Sequence, residues 1–174
     1  MACGFNQRQA QQGENMGCAW LHHQPHAMKE ILPSLYIGTY ADAECLVVHP
    51  SESKWAVVNC AREIRNISNR HPSQYLKIPL DDTGDLEDNI LFQREIHSVI
   101  DFIGERLKEG KEVLVHCQMG KSRSCSVLAA YLLHGKTEYN LRDAKQWIID
   151  RYPEAFDGGS LKVYDLALRH AFNM

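Results

Sequence analysis

One stretch of the chain, residues 112–133, restricts the possible folds more than any other. It begins with the short apolar run Glu112–His116, which is typical of a buried strand. A tight loop follows, and residues 124–133 are then mostly apolar, as in a helix packed inside a domain. A buried strand that leads through a short loop into a buried helix is the repeating unit of α/β domains. The sequence therefore predicts a mostly parallel sheet flanked by helices.

The rest of the chain alternates strand and helix patterns in the same way. Residues 31–38 alternate apolar and polar side chains up to a glycine, which predicts either a pair of strands or one kinked edge strand. Further strands are predicted at 55–60 and Tyr75–Leu80. Helices are predicted at 41–48, over the periodic residues 96–107 with an end at Gly110, at Leu141–Arg151 and at 161–172. This alternation favours a single α/β domain over residues 29–174.

Residues 1–28 differ in composition from that domain. Residues 7–15 are polar and rich in glutamine, so we expect a flexible extension. Its histidines His22, His23 and His26 are expected to face solvent rather than to bind a metal. The first residues resemble neither a secretory signal nor a myristoylation site. We therefore expect a cytoplasmic or nuclear location.

Composition excludes several kinds of partner. A net charge of −3 over 174 residues argues against a nucleic acid held by bulk electrostatics. No apolar run reaches the length of about 18 residues that a membrane span needs. The six cysteines are irregularly spaced and contain no Cys-x-x-Cys pair, which argues against a zinc site or a disulfide framework. We expect reduced, mostly buried thiols, no metal and no cofactor.

Residues 117–123, here called the cysteine loop, carry the chemistry that this pattern predicts. Cys117 opens the loop and Arg123 ends it where the next helix begins. The residues between them are Gln118, Met119, Gly120, Lys121 and Ser122. Their N–H groups can turn inward, and such a ring of amides at a helix N-terminus binds an anion. Gly120 permits the backbone angles of the turn, and the Arg123 guanidinium can hold two phosphate oxygens at once.

The same positive surroundings favour the thiolate form of Cys117. A thiolate held beside a phosphate ester attacks phosphorus and forms a phosphocysteine. Ser124 is placed to donate a hydrogen bond to the sulfur and to stabilise it as the leaving group when this intermediate breaks down. We expect His116 to be structural and to hold Cys117 through a hydrogen bond to the loop backbone. No metal is required, because Arg123 and the amides supply the electrostatic stabilisation.

Residues 116–124 resemble the active-site motif of a known family. They read His-Cys-x-x-Gly-x-Ser-Arg-Ser, the motif of the dual-specificity protein phosphatases within the protein tyrosine phosphatase superfamily. Residues 130–133 and 31–38 resemble that family's next helix and its opening segment, so the likeness covers residues 29–172. It implies a small, atypical member with a protein tyrosine phosphatase-like fold, in which about five strands form a central sheet with helices on both faces.

A phosphocysteine mechanism also needs an acid that protonates the departing oxygen. The resemblance places it after a strand and before the long helix, which in this chain corresponds to residues 78–83. It implies Asp82 as the acid, with Asp81 as the alternative, while a solvated acidic turn remains another interpretation of both. The neighbours that we assign to this turn and to the cap of the helix are Asp85, Glu87 and Asp88.

The resemblance also suggests a substrate. The short chain lacks the insertions that deepen the pocket of tyrosine-only phosphatases, which implies phosphotyrosine, phosphoserine and phosphothreonine in a protein, with a kinase as one candidate. Lys121 keeps a phosphoinositide or other non-protein substrate open, because loop lysines are typical of inositol-lipid phosphatases. A catalytically silent phospho-binding protein and a rhodanese-like sulfur carrier are further alternatives.

The sequence leaves other questions open. Arg62, Arg65 and Arg70 could form a second anion patch, although a solvated face is the simpler interpretation. Cys60 or Cys125 could protect Cys117 from oxidation through a disulfide, but the sequence gives no distance between the sulfurs. The oligomeric state is also open.

Overall fold

Five strands form one sheet in the order β1-β2-β5-β3-β4. The structure is a computed structural model and describes residues 28–47, 54–66, 74–135, 138–157 and 163–174. The strands are β1 (Lys29–Leu32), β2 (Leu35–Gly38), β3 (Trp55–Ala61), β4 (Tyr75–Leu80) and β5 (Glu112–His116). β1 pairs antiparallel with β2, and the remaining neighbours are parallel. The predicted mostly parallel sheet is confirmed, and residues 31–38 belong to a strand pair rather than to one kinked strand.

The inner strands are buried on both faces of the sheet, as their continuous apolar runs predict. On one face, Val57 and Leu114 pack with Ala43 and Leu46 of the first helix. On the other face, the alternate residues of β3 and β5 join the main core, which the remaining helices cover. This two-sided burial holds β5 rigidly in the centre of the sheet, directly before the cysteine loop.

The helices are α1 (Tyr40–Val47), α2 (Leu86–Lys108), α3 (Arg123–Gly135), α4 (Leu141–Arg151) and α5 (Asp165–Ala171). The long helix begins at a capping residue, because Asp85 Oδ1 accepts the Asp88 N–H at 2.8 Å. It ends close to Gly110, whose φ of +73° is left-handed, as the sequence predicts.

The predicted bounds of the last helix are wrong at its start. We expected residues 161–172, but the helix begins at Asp165 and the preceding Tyr164 has a non-helical backbone. The reason lies in α2, where the side chain of Asn89 accepts the Ala167 N–H at 3.2 Å and donates to the Val163 carbonyl at 3.2 Å. These two bonds satisfy the backbone where the helix starts, which fixes its first turn.

Three parallel strands place their carboxyl ends at the same edge of the sheet. β3 leads into Arg62 and Glu63, β4 into residues 81–85, and β5 into the cysteine loop. We call residues 81–85 the acid loop. Ligand sites of open α/β sheets lie at this edge, so the topology brings the predicted nucleophile and the predicted acid to one place.

Two sequence predictions concern other parts of the chain. The flexible extension predicted at 1–28, with its histidines, lies outside the described residues except for Met28, and Arg70 lies outside them as well. In the part of the chain that the structure describes, no helix combines the length and the apolar character that crossing a bilayer requires.

Candidate active site

The cysteine loop is held in a tight curve by its own backbone and by three neighbouring segments. Gly120 has a φ of +72°, and a Cβ atom there would lie 3.0 Å from the Tyr152 hydroxyl and 3.1 Å from the Gly38 carbonyl oxygen. Glycine suits this position, because the left-handed angle would strain any other residue and a Cβ atom would be crowded. Outward bonds complete the curve, since the N–H groups of Tyr40 and Phe156 donate to the carbonyls of Gln118 and Lys121 at 3.3 and 2.6 Å.

Cys117 lies at the base of this loop and is 2% exposed. Its Sγ is 3.4 Å from the Ser124 hydroxyl, the contact that the sequence predicts for a sulfur leaving group. His116 Nδ1 lies 3.3 Å from the Cys117 carbonyl oxygen. A carbonyl oxygen only accepts, so this contact requires the His116 proton on Nδ1. Both neighbours therefore contact Cys117 where the sequence places them.

Arg123 reaches from the start of α3 towards the loops that follow β3 and β4. Its Nη1 donates to both carboxylate oxygens of Glu63, at 2.9 and 2.7 Å, and to the Leu80 carbonyl at 3.2 Å. Burial lowers the pKa of the Arg123 guanidinium, but the hydrogen-bonded carboxylate of Glu63 and the negative charges of the Cys117 thiolate and Asp82 together raise it above its usual value. Arg123 therefore carries a fixed positive charge beside Cys117.

The Nε group of Arg123 is buried and has no hydrogen-bond partner in the structure. The carboxylate oxygen Asp82 Oδ2 lies 3.5 Å from Nε, beyond ordinary hydrogen-bond distance. A buried donor without a partner is costly unless a ligand satisfies it. Glu63 thus anchors one edge of the guanidinium, and Nε is the donor that a phosphate oxygen can take.

Asp82 contacts the cysteine loop directly. Its Oδ1 accepts a hydrogen bond from the Ser122 hydroxyl at 2.5 Å, while Oδ2 lies beside Arg123 Nε. Its neighbour Asp81 turns away and pairs with the exposed Arg62 side chain at 2.7 Å. Of the two acids, Asp82 is therefore the one that the structure brings to the cysteine loop. Asp81 also gives Arg62 a partner, which weighs against an anion patch at that residue.

The exposed side of the cysteine loop is only weakly basic. Gln118 and Met119 face solvent, and the Lys121 ammonium lies 3.1 Å from the Asp157 carboxylate. The half-exposed Glu63 adds a second carboxylate close to Arg123. Across the described ranges, no three His, Cys, Asp or Glu side chains are grouped so that they could hold a metal ion.

Comparison with known proteins identifies the family. Residues 35–157 match the family model described as "Dual specificity phosphatase, catalytic domain". The chain belongs to the dual-specificity phosphatase family. Dual specificity protein phosphatase 5 of Rattus norvegicus is 34% identical over 122 residues, which are 70% of this chain and 30% of the relative. Dual specificity protein phosphatase 1 of Arabidopsis thaliana is 33% identical over 123 residues, 70% of this chain and 58% of the relative. The chain thus spans less than two thirds of the length of these relatives.

Solved structures support the same fold for this dual-specificity phosphatase domain. Human DUSP28 superimposes with a TM-score of 0.66 at 20% identity, over 86% of this chain and 95% of that one. DUSP15 superimposes with a TM-score of 0.67 at 22% identity, over 84% of this chain and 90% of that one. The predicted resemblance and the protein tyrosine phosphatase-like fold are both confirmed.

Sequence reasoning missed two features of this dual-specificity phosphatase site. Glu63, the anchor of Arg123, stands between arginines that drew attention as a basic patch. Asp88 was assigned to the acidic turn and helix cap, yet it is 3% exposed and binds the acid loop. The one signal near Glu63 was Asn59, a polar residue in the apolar strand β3, because Asn59 is buried and shapes the turn that carries Glu63 by donating to the Ile64 carbonyl at 3.0 Å.

His116 makes the stability of the domain depend on pH. Burial lowers the pKa of His116 from 6.5 to about 4, so the folded state stays neutral while the unfolded state takes up a proton below pH 6.5. Stability therefore falls as the pH falls from 6.5 to about 4.

His116→Asn keeps a donor near the position of Nδ1 and removes the titration. Urea unfolding measures the free energy of unfolding at each pH. Between pH 7 and pH 4 we expect this free energy to fall by about 3 kcal/mol more in the wild type than in the variant. Equal losses in the two proteins would contradict the neutral, buried histidine.

Proposed function

We propose that this domain hydrolyses phosphotyrosine, phosphoserine and phosphothreonine esters in proteins through a phosphocysteine at Cys117. The observation that carries the proposal is the contact of Asp82 with the cysteine loop. The Asp82 carboxylate accepts a hydrogen bond from Ser122 and lies beside Arg123 Nε. The acid of one loop thereby lies beside the buried cationic donor and the thiol of the other. The relatives named as dual specificity protein phosphatases support the same activity.

The first half of the reaction transfers the phosphoryl group to sulfur. Arg123 Nε and the loop amides bind the phosphate oxygens, and the Cys117 thiolate attacks phosphorus. The bond between phosphorus and the ester oxygen breaks as Asp82 gives that oxygen its proton. The dephosphorylated side chain then leaves as a neutral hydroxyl.

The second half regenerates the enzyme. Asp82, now a carboxylate, takes a proton from a water molecule that attacks phosphorus. The bond between phosphorus and sulfur breaks, and the Ser124 hydroxyl, 3.4 Å from Sγ, donates a hydrogen bond to the departing thiolate. Inorganic phosphate leaves, and Asp82 is protonated for the next cycle.

The charges around the cysteine loop favour proteins over phosphoinositides. Lys121 is the residue that keeps a phosphoinositide substrate open in the sequence. In the structure, the Asp157 carboxylate lies 3.1 Å from its ammonium and offsets its charge. Glu63 adds negative charge near Arg123. Additional phosphate groups on an inositol ring would meet these carboxylates, whereas a singly phosphorylated side chain need not.

Phosphate release from a substrate panel tests the proposal. The panel contains phosphotyrosine, phosphoserine and phosphothreonine peptides, including one from a kinase because a kinase is one candidate substrate, and phosphoinositides in micelles. We expect kcat/KM for the best peptide to exceed that for the best lipid by at least about tenfold. The reverse order would assign the domain to lipids, and tight peptide binding without release would make it a silent phospho-binding protein.

The unbridged thiols of the described residues favour a reducing compartment. Cys45, Cys60, Cys117 and Cys125 are all unbridged in the structure. Since the proposed reaction needs the Cys117 thiolate, a cytoplasmic or nuclear location fits it, because those compartments keep thiols reduced. Imaging of the tagged full chain in cells tests this location.

A further inference from the structure

The acid loop is bound to the helices through three consecutive backbone N–H groups. Asp88 accepts two of them, from Asp81 at 2.9 Å and from Thr83 at 3.2 Å. The N–H between them, that of Asp82 itself, donates to the Tyr164 hydroxyl at 3.2 Å. The same hydroxyl donates to Asp88 Oδ2 at 2.6 Å. Asp88 and Tyr164 thus form one hydrogen-bonded unit that contacts the backbone on both sides of the predicted acid and at the acid itself.

This unit stands on rigid structure. Asp88 lies in the first turn of α2 and is 3% exposed, and Tyr164 lies directly before α5 and is 1% exposed. The Tyr164 ring stacks on Phe92 of α2, with 4.9 Å between ring centroids. Burial and the neighbouring Asp88 carboxylate raise the pKa of Tyr164 above its usual value, so its hydroxyl keeps the proton that it donates. The loop is therefore attached to the packed core and not only to its own flanking residues.

Asp82 needs such support because its backbone is strained. Its φ of +65° lies in the left-handed region, which a residue other than glycine adopts at a cost. In this conformation its carboxylate reaches Ser122 and lies beside Arg123. If the backbone relaxed to negative φ, the side chain would leave the cysteine loop. Strain of this kind persists only where surrounding contacts hold it.

We propose that Tyr164 and Asp88 are positioning residues for proton transfer, which hold Asp82 over the cysteine loop through its own N–H group and those on either side. The inference rests on the proposed phosphatase function and adds two residues that never touch substrate. Asp88 is not needed as the cap of α2, because Asp85 already caps that helix. The Asp88 carboxylate is therefore available to bind the acid loop. The acid is therefore placed by α2 and by the residue that precedes α5.

Tyr164→Phe tests the inference, because it removes the hydroxyl and keeps the ring on Phe92. Two substrates distinguish positioning from general damage: phenyl phosphate, whose leaving group needs a proton, and dinitrophenyl phosphate, whose leaving group does not. We expect kcat/KM, which reports the steps up to departure of the leaving group, to fall about tenfold for phenyl phosphate and to change less than about twofold for dinitrophenyl phosphate. Tyr131→Phe is the matched control, since Tyr131 is a half-buried tyrosine in the groove between α2 and α3.

A double-mutant cycle identifies the residue through which Tyr164 acts. In an Asp82→Asn background, Tyr164→Phe should cause no further loss on phenyl phosphate, because the proton donor is already absent. Asp88→Asn should show the same selectivity and the same lack of additivity, so the inference does not depend on the folding of one variant. Equal losses on both substrates, or a further tenfold loss in the Asp82→Asn background, would overturn the positioning role. A wild type that hydrolyses neither substrate would overturn the proposed function, a result distinct from either of these.

Discussion

Replacing Cys117 by serine is expected to reduce the turnover of para-nitrophenyl phosphate by about 10⁴-fold or more, while phosphate still binds. A serine hydroxyl is almost entirely un-ionised near neutral pH, and the group that contacts this position, the Ser124 hydroxyl at 3.4 Å, is not a base. The donors that bind the anion, Arg123 Nε and the loop amides, are unchanged by the substitution. Steady-state kinetics measure the loss, and titration calorimetry with inorganic phosphate measures the retained binding.

Cys45→Ser is the matched control for this experiment. Cys45 is a half-buried cysteine of α1 that forms no disulfide and is not part of the cysteine loop, and its replacement should leave turnover within about twofold of the wild type. Full turnover by Cys117→Ser would contradict a phosphocysteine mechanism. Loss of both turnover and phosphate binding would instead mean that the substitution had disturbed the loop and its anion site.

The parts of the fold that the sequence predicts well are those with a local cause. The strand Glu112–His116 and the helix Leu141–Arg151 have the predicted bounds, because an apolar run and a helical repeat need no knowledge of their partners. The cysteine loop is equally local, since Gly120 and the start of α3 determine its curve. A compact motif with its own backbone requirements can be predicted from the residues that compose it.

The parts that the sequence does not reveal depend on contacts between distant segments. Glu63 contacts Arg123 across 60 positions, and Tyr164 contacts Asp82 across 82. Neither contact leaves a periodic signal, because each depends on which strand ends meet at the edge of the sheet. The same cause explains the late start of α5, which Asn89 fixes from α2.

The choice between Asp81 and Asp82 shows how backbone geometry completes a sequence prediction. Asp81 and Asp82 are the same residue type and lie one position apart after β4. The sequence alone therefore gives no physical difference between them. In the structure, the left-handed backbone at Asp82 turns its carboxylate to the cysteine loop, whereas Asp81 pairs with Arg62. These contacts favour Asp82 over Asp81 as the acid.

Asp82→Asn is expected to reduce kcat/KM, which reports the steps up to departure of the leaving group, by about 10²–10³-fold for phenyl phosphate and by less than about threefold for dinitrophenyl phosphate. The amide keeps the shape of the side chain and can still contact Ser122, but it has no proton to give to a departing phenoxide. Dinitrophenolate leaves without protonation, so the transfer of its phosphoryl group to Cys117 should depend little on the acid. A series of aryl phosphates of increasing leaving-group basicity measures this as a steeper dependence of kcat/KM on the leaving group.

Asp81→Asn is the matched control, because it removes one carboxylate from the same loop and loses only the exposed pair with Arg62. Exposed ion pairs of this kind contribute about 0.2–1 kcal/mol, so turnover of both substrates should stay within about twofold of the wild type. If Asp81→Asn gave the selective loss and Asp82→Asn did not, the acid would be the neighbouring residue, and the contact of Asp82 with Ser122 would be structural. If both variants lowered kcat/KM equally for the two substrates, neither carboxylate would be the proton donor. The left-handed backbone at Asp82 would then stabilise the loop and have no part in proton transfer.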